Sequence, residues 1–266
     1  MTVTHLFLYP VKSLGSIAVT EAELTEKGFQ FDRRWMIVDK EGIFISQRSH
    51  PVLASIKVAI KHNSIRLYTA NDQQGVAIPM VPAEGQSSVQ VKVWESICSA
   101  ICGFDEANMW LSSQLSTQCR IVYMPEQSKR LIDSDLVPDG TIVSFADGYP
   151  YLLIGSASLD DLNNKLEHAV DYDRFRPNIV VQTEQAFEED QWKDFQLGTA
   201  SFLGVKRCSR CIMVNLNQGT LVSSKEPLRT LATYRKVETN VKFGLNIIWR
   251  GEGKVLRVGD ELVIGR

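Results

Sequence analysis

Short apolar, β-branched and aromatic runs separated by polar turns dominate the first hundred residues of the chain. Glu41-Gly42 lies between two of these runs and has the composition of a hairpin turn. Short runs spaced by turn residues are typical of a small barrel or sandwich rather than of strand–helix–strand units. The predicted strands are Val3–Tyr9, Trp35–Asp39, Ile43–Ser46, Ser55–Ile60, Ser64–Tyr68 and Val89–Trp94.

Helical periodicity first appears after these strands. Asp105 can cap a helix, and Trp110, Leu111 and Leu115 mark one face of it. The polar segment Lys129–Gly140 follows and contains a proline and a glycine, so we predict a loop and a domain junction there. The two predicted domains are residues 1–125 and residues 126–266.

The second half mixes helices and strands. Ser158 can cap a helix, and Pro227 fits the start of a second helix over Glu226–Arg235. The apolar positions of the first of these helices are Leu159, Leu162, Leu166 and Ala169. The predicted strands are Asn178–Gln182, Ser201–Lys206, Ile212–Leu216, Asn246–Arg250, Val255–Val258 and Glu261–Ile264.

The composition is that of an ordinary globular protein. With 266 residues, 44% hydrophobic and 23% charged, the chain can bury a large core. A net charge of −2 provides no basic field for nucleic acid or anionic lipid, and no apolar run approaches the roughly 18 residues of a membrane span. The first residues lack a signal-peptide pattern, and five cysteines, an odd number, are typical of reduced thiols. We therefore predict a cytoplasmic protein with no nucleic-acid partner and no membrane partner.

The sharpest chemical signal is the segment 206–214, where two thiols stand among three cations at the start of an apolar run. Cationic neighbours favour the thiolate, the form of cysteine that binds metals and attacks electrophiles. Four interpretations of Cys208-x-x-Cys211 are open: a structural zinc site, a dithiol redox pair, two partly buried structural thiols, or a single soft-metal ligand at Cys211. Zinc needs about four ligands, but the remaining cysteines and the four histidines are scattered. A dithiol pair normally starts a helix, and here a strand-like run follows.

Three further motifs place cations and polar groups at strand ends. They are Tyr9-Pro10-Val11-Lys12-Ser13, Asp32-Arg33-Arg34-Trp35 and Phe175-Arg176-Pro177-Asn178. Guanidinium, ammonium and amide groups in loops at strand ends can bind an anion, although any one of them alone is most often a surface residue. Adjacent residues of a strand face opposite sides, so we expect Arg33 rather than Arg34 to take part. The chain has no glycine-rich phosphate loop, no G-x-S-x-G elbow and no H-E-x-x-H pair.

Together these motifs resemble the MOSC proteins, and within them the mitochondrial amidoxime-reducing components and their bacterial counterparts. The first two motifs resemble the N-terminal domain associated with MOSC. The MOSC domain itself is matched by Phe175-Arg176-Pro177-Asn178-Ile179, Cys208-Ser209-Arg210-Cys211, Lys225-Glu226-Pro227-Leu228 and Phe243-Gly244-Leu245-Asn246. The resemblance covers nearly the whole chain. It implies an α+β, β-rich fold, with a MOSC-type β-barrel domain, a smaller N-terminal β-barrel-like domain and a few peripheral helices.

The resemblance also implies a cofactor site. It implies a molybdenum cofactor (Mo-molybdopterin) with Cys211 as the metal ligand and catalytic thiolate, and with Cys208 as a neighbour only. Molybdenum takes sulfur ligands, which agrees with this assignment. By position, the residues at the cofactor are Lys12, Ser13, Arg33, Tyr149, Arg176, Asn178, Ser209, Arg210, Cys211 and Asn246. At the level of the broad family, the resemblance further implies an association with pyridoxal phosphate.

The activity implied is that of a molybdenum-dependent oxidoreductase. Its substrates would be N-hydroxylated compounds such as amidoximes, hydroxylamines and N-hydroxylated bases. No cysteine follows Cys211 to hold an iron–sulfur cluster, so a separate ferredoxin-like or flavoprotein donor is expected to supply electrons. The alternative is a carrier that holds the cofactor, or a persulfide sulfur on Cys211, without turnover. A β-rich binding protein with a structural cysteine pair is the third interpretation.

Overall fold

The computed structural model describes residues 1–265 and consists mainly of β-strands. The strands are β1 (Val3–Leu8), β2 (Ile17–Val19), β3 (Glu21–Thr25), β4 (Gly28–Phe29), β5 (Trp35–Val38), β6 (Lys57–Lys61), β7 (Ser64–Tyr68), β8 (Val76–Pro79), β9 (Ser88–Val93), β10 (Ser96–Ile101), β11 (Arg120–Tyr123), β12 (Tyr151–Gly155), β13 (Ile179–Val181), β14 (Asp194–Leu197), β15 (Ala200–Arg210), β16 (Lys236–Val237), β17 (Asn240–Trp249), β18 (Val255–Arg257) and β19 (Leu262–Ile264). The helices are α1 (Asp105–Leu115), α2 (Ser156–Asn163) and α3 (Leu228–Ala232), and 3-10 helices span Pro51–Ser55, Tyr172–Arg174, Glu188–Gln191 and Ile212–Asn215. The predicted β-rich α+β class is confirmed. Among residues 1–265, no helix has the length and apolar character needed to cross a membrane.

The largest sheet joins strands from the two ends of the sequence. Its order is β19-β14-β15-β17-β12-β13-β1-β2, and β16 pairs with β17. β1 runs antiparallel to β13, with Leu6 opposite Ile179, and β2 extends the sheet beyond β1. Residues 3–19 therefore complete a sheet whose other strands all come from residues 151–264.

Three smaller sheets account for most of the first half. Their orders are β5-β11-β10-β9, β6-β7-β8 and β18-β3-β4. One buried apolar cluster combines Trp35 of β5, Leu67 of β7 and Leu111 of α1. A second combines Tyr151 of β12 and Phe202 of β15 within the large sheet. The second cluster also contains Leu6 of β1 and Leu24 of β3, so the first half contributes to the core of the second. Burial of such side chains stabilises the fold by about 1.5–3 kcal/mol each.

Several predicted elements are confirmed, with corrected ends. The helix predicted at Asp105 forms α1 and buries Leu111 and Leu115. Phe104 rather than Asp105 is its N-cap, so Asp105 lies in the first turn, where its charge suits the helix dipole. The turn at Glu41-Gly42 is also present, because the Gly42 amide donates to the Asp39 carbonyl and Gly42 has a φ of 82°.

The predicted strand Ile212–Leu216 is wrong, because residues 212–215 form a 3-10 helix. β15 ends at Arg210, and the chain then turns inward so that Val214 and Asn215 are buried. The Asn215 side chain accepts a bond from the Leu228 amide at the start of α3. A β-branched run fits a buried turn as well as a strand, so composition alone did not distinguish them.

Other predicted boundaries also needed correction. Ser158 lies inside α2 and does not cap it, and Leu166 and Ala169 lie beyond its end. That end is fixed where the Asn163 side chain bonds both backbone groups of Val170. Three predicted elements are shortened or replaced: Ile43–Ser46 contains only isolated bridges, Ser55–Ile60 begins in a 3-10 helix, and Glu226–Arg235 is helical only over Leu228–Ala232.

Candidate functional site

A cavity of about 410 Å³ lies between the two halves of the chain. Its wall combines segments 12–13 and 46–48 from the first half with segments 146–149, 174–176 and 208–211 from the second. All ten side chains predicted at the site line it: Lys12, Ser13, Arg33, Tyr149, Arg176, Asn178, Ser209, Arg210, Cys211 and Asn246. The structure thus brings the whole predicted set to one place, which we call the junction cavity.

Asp32 and Asn178 orient the guanidinium of Arg33 at the cavity wall. Arg33 Nη1 donates to Asp32 Oδ2 at 2.6 Å and to Asn178 Oδ1 at 3.1 Å. Arg33 Nη2 donates to the Arg176 carbonyl at 3.2 Å. Burial raises the pKa of the Asp32 carboxyl, and the bonded Arg33 opposes that shift. The Asp32 carboxylate, the Asn178 amide and the Arg176 carbonyl therefore hold the Arg33 guanidinium in one orientation.

The adjacent Arg34 lies outside the cavity, as predicted. Its Nη2 donates to the Met124 carbonyl at 2.7 Å, and its Nη1 donates to the Glu126 carboxylate at 2.5 Å. Both arginines precede β5, and Arg33 has a left-handed backbone with a φ of 47°, so this turn rather than strand alternation separates the roles of the two arginines.

Tyr9 provides an aromatic surface for two cations. The guanidinium carbons of Arg33 and Arg176 lie 4.0 and 4.4 Å from the centre of its ring. Burial raises the pKa of Tyr9 to about 12, so its phenol is neutral at physiological pH. Burial lowers the pKa of Arg176 to about 10, and the nearby Arg33 acts in the same direction. A bound anion would favour the charged form of Arg176.

Three residues of the cavity wall have left-handed backbones. The φ angles of Ser13, Arg33 and Arg176 are 71°, 47° and 58°. Each such residue costs on the order of 1–3 kcal/mol and persists where surrounding structure holds it. Backbone bonds provide that support, since the Arg33 amide donates to the Tyr9 carbonyl at 2.7 Å and the Arg176 amide to the Tyr172 carbonyl at 2.9 Å. Strained residues cluster at binding and catalytic sites, which fits this location.

Lys12 ties the first half of the chain to the loop 146–149. Its Nζ donates to the Phe145 carbonyl at 2.7 Å and to Asp147 Oδ1 at 2.5 Å. Trp94 Nε1 donates to the same carboxylate oxygen at 3.2 Å. Burial lowers the pKa of Lys12, and the Asp147 carboxylate opposes that shift. The Lys12 charge is therefore already paired within the protein.

Arg210 presents a donor that the described residues do not satisfy. Its Nε donates to the Phe243 carbonyl at 2.9 Å and its Nη1 to the Phe175 carbonyl at 3.0 Å. Its Nη2 is buried and has no partner within residues 1–265. A buried unpaired donor costs about 1–3 kcal/mol, and an acceptor bound in the junction cavity would remove that cost.

Cys211 is exposed, at the point where β15 gives way to the 3-10 helix Ile212–Asn215. Cys208 is half-buried in β15 and lines the same cavity. Between them, Ser209 Oγ lies 2.7 Å from Lys242 Nζ. Over residues 1–265, no three His, Cys, Asp or Glu side chains are grouped to hold a metal ion. These residues therefore provide no ligand set for a structural zinc ion.

The remaining predicted side chains lie along the cavity wall. Ser13 Oγ donates to the Ile45 carbonyl at 3.3 Å. Tyr149 donates to Ser134 at 3.3 Å, and Lys206 Nζ lies 5.1 Å from its ring. Asn246 is half-buried opposite Lys206 in the β15–β17 pair.

Sequence reasoning missed several residues of the site. Asp32 and Tyr9 belong to recognised motifs, but nothing in the motifs marks one as an orienting carboxylate and the other as an aromatic surface. Asp147 lies two residues before Tyr149, and that proximity in the sequence was the available signal. Trp94 and Gln47 reach the site from separate segments of the first half, and no local sequence pattern predicts that they do so.

Known proteins match this chain over both of its halves. The family model of the MOSC N-terminal beta barrel domain matches residues 1–118, and that of the MOSC domain matches residues 140–263. Mitochondrial amidoxime-reducing component 1 of Mus musculus is 31% identical, over 99% of this chain and 82% of that protein. Mitochondrial amidoxime reducing component 2 of Rattus norvegicus is 32% identical, over 97% of this chain and 82% of that protein. Molybdenum cofactor sulfurase of Danio rerio is 30% identical over 98% of this chain, which spans 34% of that longer protein. The chain therefore belongs to the MOSC family, together with the mitochondrial amidoxime-reducing components.

Proposed function

We propose that the junction cavity binds a molybdenum cofactor of the molybdopterin type and that Cys211 supplies the protein thiolate to the metal. The observation that carries the proposal is the convergence of an exposed thiol and two arginines with unused donors or charge in one cavity. The names of the relatives support it, since they are amidoxime-reducing components and molybdenum cofactor sulfurases. A molybdenum centre supplies two-electron oxygen-atom chemistry when it is bound.

The polar groups of the cavity fit an anionic, heterocyclic ligand. Arg210 Nη2 lacks an acceptor, and Arg176 forms no ion pair with a carboxylate of residues 1–265. Guanidinium forks of this kind suit phosphate oxygens and the edge of a pterin ring. Ser209 adds a hydroxyl beside the thiol.

The other predicted residues act mainly by positioning. Asn178 uses its amide oxygen to hold Arg33 and its Nδ2 to reach the Phe7 carbonyl at 3.3 Å. Lys12 holds the loop 146–149 through Asp147. These contacts fix Arg33 and the loop 146–149 in advance, so binding loses less conformational entropy.

The reaction we propose is the reduction of N-hydroxylated compounds such as amidoximes, hydroxylamines and N-hydroxylated bases. In the net reaction an N–O bond breaks, two electrons and two protons are consumed, and R–NH–OH becomes R–NH2 and water. A separate ferredoxin-like or flavoprotein donor would supply the electrons, and we place the protein in the cytoplasm. Cys211 is exposed, which leaves room for substrate beside the thiolate.

Elemental analysis tests the cofactor assignment. The protein is produced in a host that makes molybdenum cofactor, and molybdenum and acid-released oxidised pterin are measured per chain. We expect about one of each in wild type and in Cys208→Ala, and loss of both molybdenum and reductase activity in Cys211→Ala. Full activity of Cys211→Ala would show that the ligand assignment is wrong.

A sulfur carrier is the second candidate. The exposure of Cys211 favours it, because a persulfide must be passed to another molecule, and so does the similarity to molybdenum cofactor sulfurase over 98% of the chain. Mass spectrometry of metal-free protein after incubation with a cysteine desulfurase would detect a persulfide on Cys211. Persulfide without molybdenum or turnover would select this function over the reductase.

A further inference from the structure

We propose that the surface beside the Cys211 side of the junction cavity docks a small acidic electron-carrier protein. This inference rests on the proposed function, because an electron carrier is needed only if the site performs redox chemistry. We call this surface the basic face, and it consists of Lys206, Lys225, Lys236, Lys242, Ile212, Val222 and Val237.

Charge along the chain is strongly uneven. Residues 206–242 contain eight Lys or Arg and only two Glu, whereas the whole chain has a net charge of −2. The rest of the chain is therefore acidic, and the positive charge is concentrated on the segment that carries Cys211. A localised field of this sign attracts acidic partners and repels basic ones.

Few of these cations are neutralised. Asp190 pairs with Arg235 at 2.5 Å and with Arg207 at 4.0 Å, and Glu226 pairs with Arg229 at 2.6 Å. Within residues 1–265, the four lysines of the basic face form no ion pair with any carboxylate. Their charge is therefore available to a partner.

Two of the four lysines lie at the cavity, and the other two adjoin residues at its edge. Lys206 lines the cavity, and Lys242 Nζ lies 2.7 Å from Ser209 Oγ, which also lines it. Lys236 lies on β16, opposite Val241 of β17, the residue that precedes Lys242. Lys225 precedes Glu226, whose carbonyl accepts a bond at 3.3 Å from Arg174 of the cavity wall.

Exposed apolar side chains belong to the same segment of the chain. Ile212, next to Cys211, is 64% exposed, Val222 is 63% exposed and Val237 is 37% exposed. A basic surface that also exposes a few apolar side chains suits a transient complex, in which charge steers the encounter and a limited contact area allows release. Because Cys211 adjoins Ile212, a carrier docked here would lie next to the proposed metal ligand.

The expected carrier is small, acidic and transfers one electron at a time. Two carriers are then oxidised for each N–O bond reduced, and the two protons come from solvent. A [2Fe–2S] ferredoxin of strongly negative net charge has this chemistry, and it serves as the probe.

Charge reversal on the basic face tests the inference. We compare the molybdenum-loaded wild type with Lys225→Glu/Lys236→Glu and with a matched control, Lys61→Glu/Lys254→Glu, which changes charge equally on exposed sites outside the face. Electrons come either from reduced ferredoxin or from sodium dithionite, which needs no docking surface. At low salt we expect kcat/KM for ferredoxin to fall about tenfold or more in the first variant only, since steering changes association rates by about 10–10³. Rates with dithionite should be equal in all three proteins, and added salt should slow ferredoxin turnover by the wild type.

Each other outcome has a definite meaning. Equal ferredoxin kinetics in the two variants, or dithionite turnover with no ferredoxin turnover, would overturn the docking site while leaving the proposed function intact. No turnover by the molybdenum-loaded wild type with dithionite would overturn the proposed function and this inference with it.

Discussion

At the scale of single residues, the motif Phe175-Arg176-Pro177-Asn178 contains one residue that faces the cavity and one that positions another side chain. Arg176 faces the cavity without an ion-pair partner, while Asn178, two residues later, holds Arg33. Asp32 and Arg33 divide the work in the same way, since Asp32 is fully buried and orients its neighbour. The buried side chains of Asp32 and Asn178 therefore determine where the Arg33 guanidinium points.

Replacing Asp32 with Asn tests this division. The substitution leaves the buried Arg33 guanidinium without its carboxylate, so we expect the free energy of unfolding to fall by about 3–5 kcal/mol. We also expect molybdenum retention to fall, because Arg33 loses its fixed direction. Urea unfolding and molybdenum content per chain measure the two effects.

Asp194→Asn is the control, because Asp194 pairs with Arg250 outside the cavity and both side chains are exposed, by 69% and 42%. An exposed partner contributes about 0–1 kcal/mol, so this variant should stay close to wild type in both measurements. If Asp32→Asn matched it, the orienting role of Asp32 would be wrong.

At the scale of elements, a helix with a clear periodic pattern was predicted from the sequence, whereas a continuous apolar strand and a very short strand were missed. α1 was predicted because its apolar face has a clear helical period. β12 is a continuous apolar run, Tyr151–Gly155, whose pattern does not distinguish a buried strand from part of a helix. β14 is only four residues long, and its pairing with β15 and β19 is decided by tertiary contacts. The cavity residues were predictable because their motifs are local, whereas the strands that carry them pair at long range.

The start of α2 depends on a carboxyl group from a distant segment. Glu189 is fully buried, and its Oε1 accepts bonds from the Gly155 amide at 3.1 Å and from the Ser158 hydroxyl at 2.8 Å. Burial raises the pKa of Glu189, and its bond from Ser158 opposes that shift. A raised pKa in the folded state means that folding favours the protonated form. This contribution to stability is complete below the unfolded pKa of about 4.3 and is lost as pH rises through the folded pKa.

Glu189→Gln removes that titration and keeps the shape of the side chain. Relative to wild type, the variant should therefore gain stability as pH rises from about 4.5 towards 8, since only wild type must bury a charge there. Urea unfolding at several pH values measures the difference, and the exposed Glu184→Gln serves as the control. A difference from wild type that stays constant across this pH range would contradict the prediction.

At the scale of the whole molecule, the junction cavity exists only where the two halves meet. Strand pairs cross the predicted division at residues 125 and 126, because β1 pairs with β13 and β3 pairs with β18. Lys12 and Asp147 cross it at the cavity itself. The order of motifs could not reveal this arrangement, since Leu6 and Ile179 are adjacent in the sheet but far apart in the sequence. The division into residues 1–125 and 126–266 stays a prediction, and the shared strands provide a way to test it.

A fragment containing only residues 126–266 should fail to fold. It lacks β1 and β2, so β13 would become an edge strand, although Ile179, Val180 and Val181 are now all fully buried. An unpaired apolar edge strand promotes aggregation, and the fragment would also lose Leu6 and Leu24 from its core. We expect no cooperative urea transition by circular dichroism for this fragment alone. Co-expression with residues 1–125 should restore a complex that unfolds in one transition and retains molybdenum, because it restores every strand pair. A cooperative transition for residues 126–266 alone would show that the second half is an independent domain whose sheet is stable without β1.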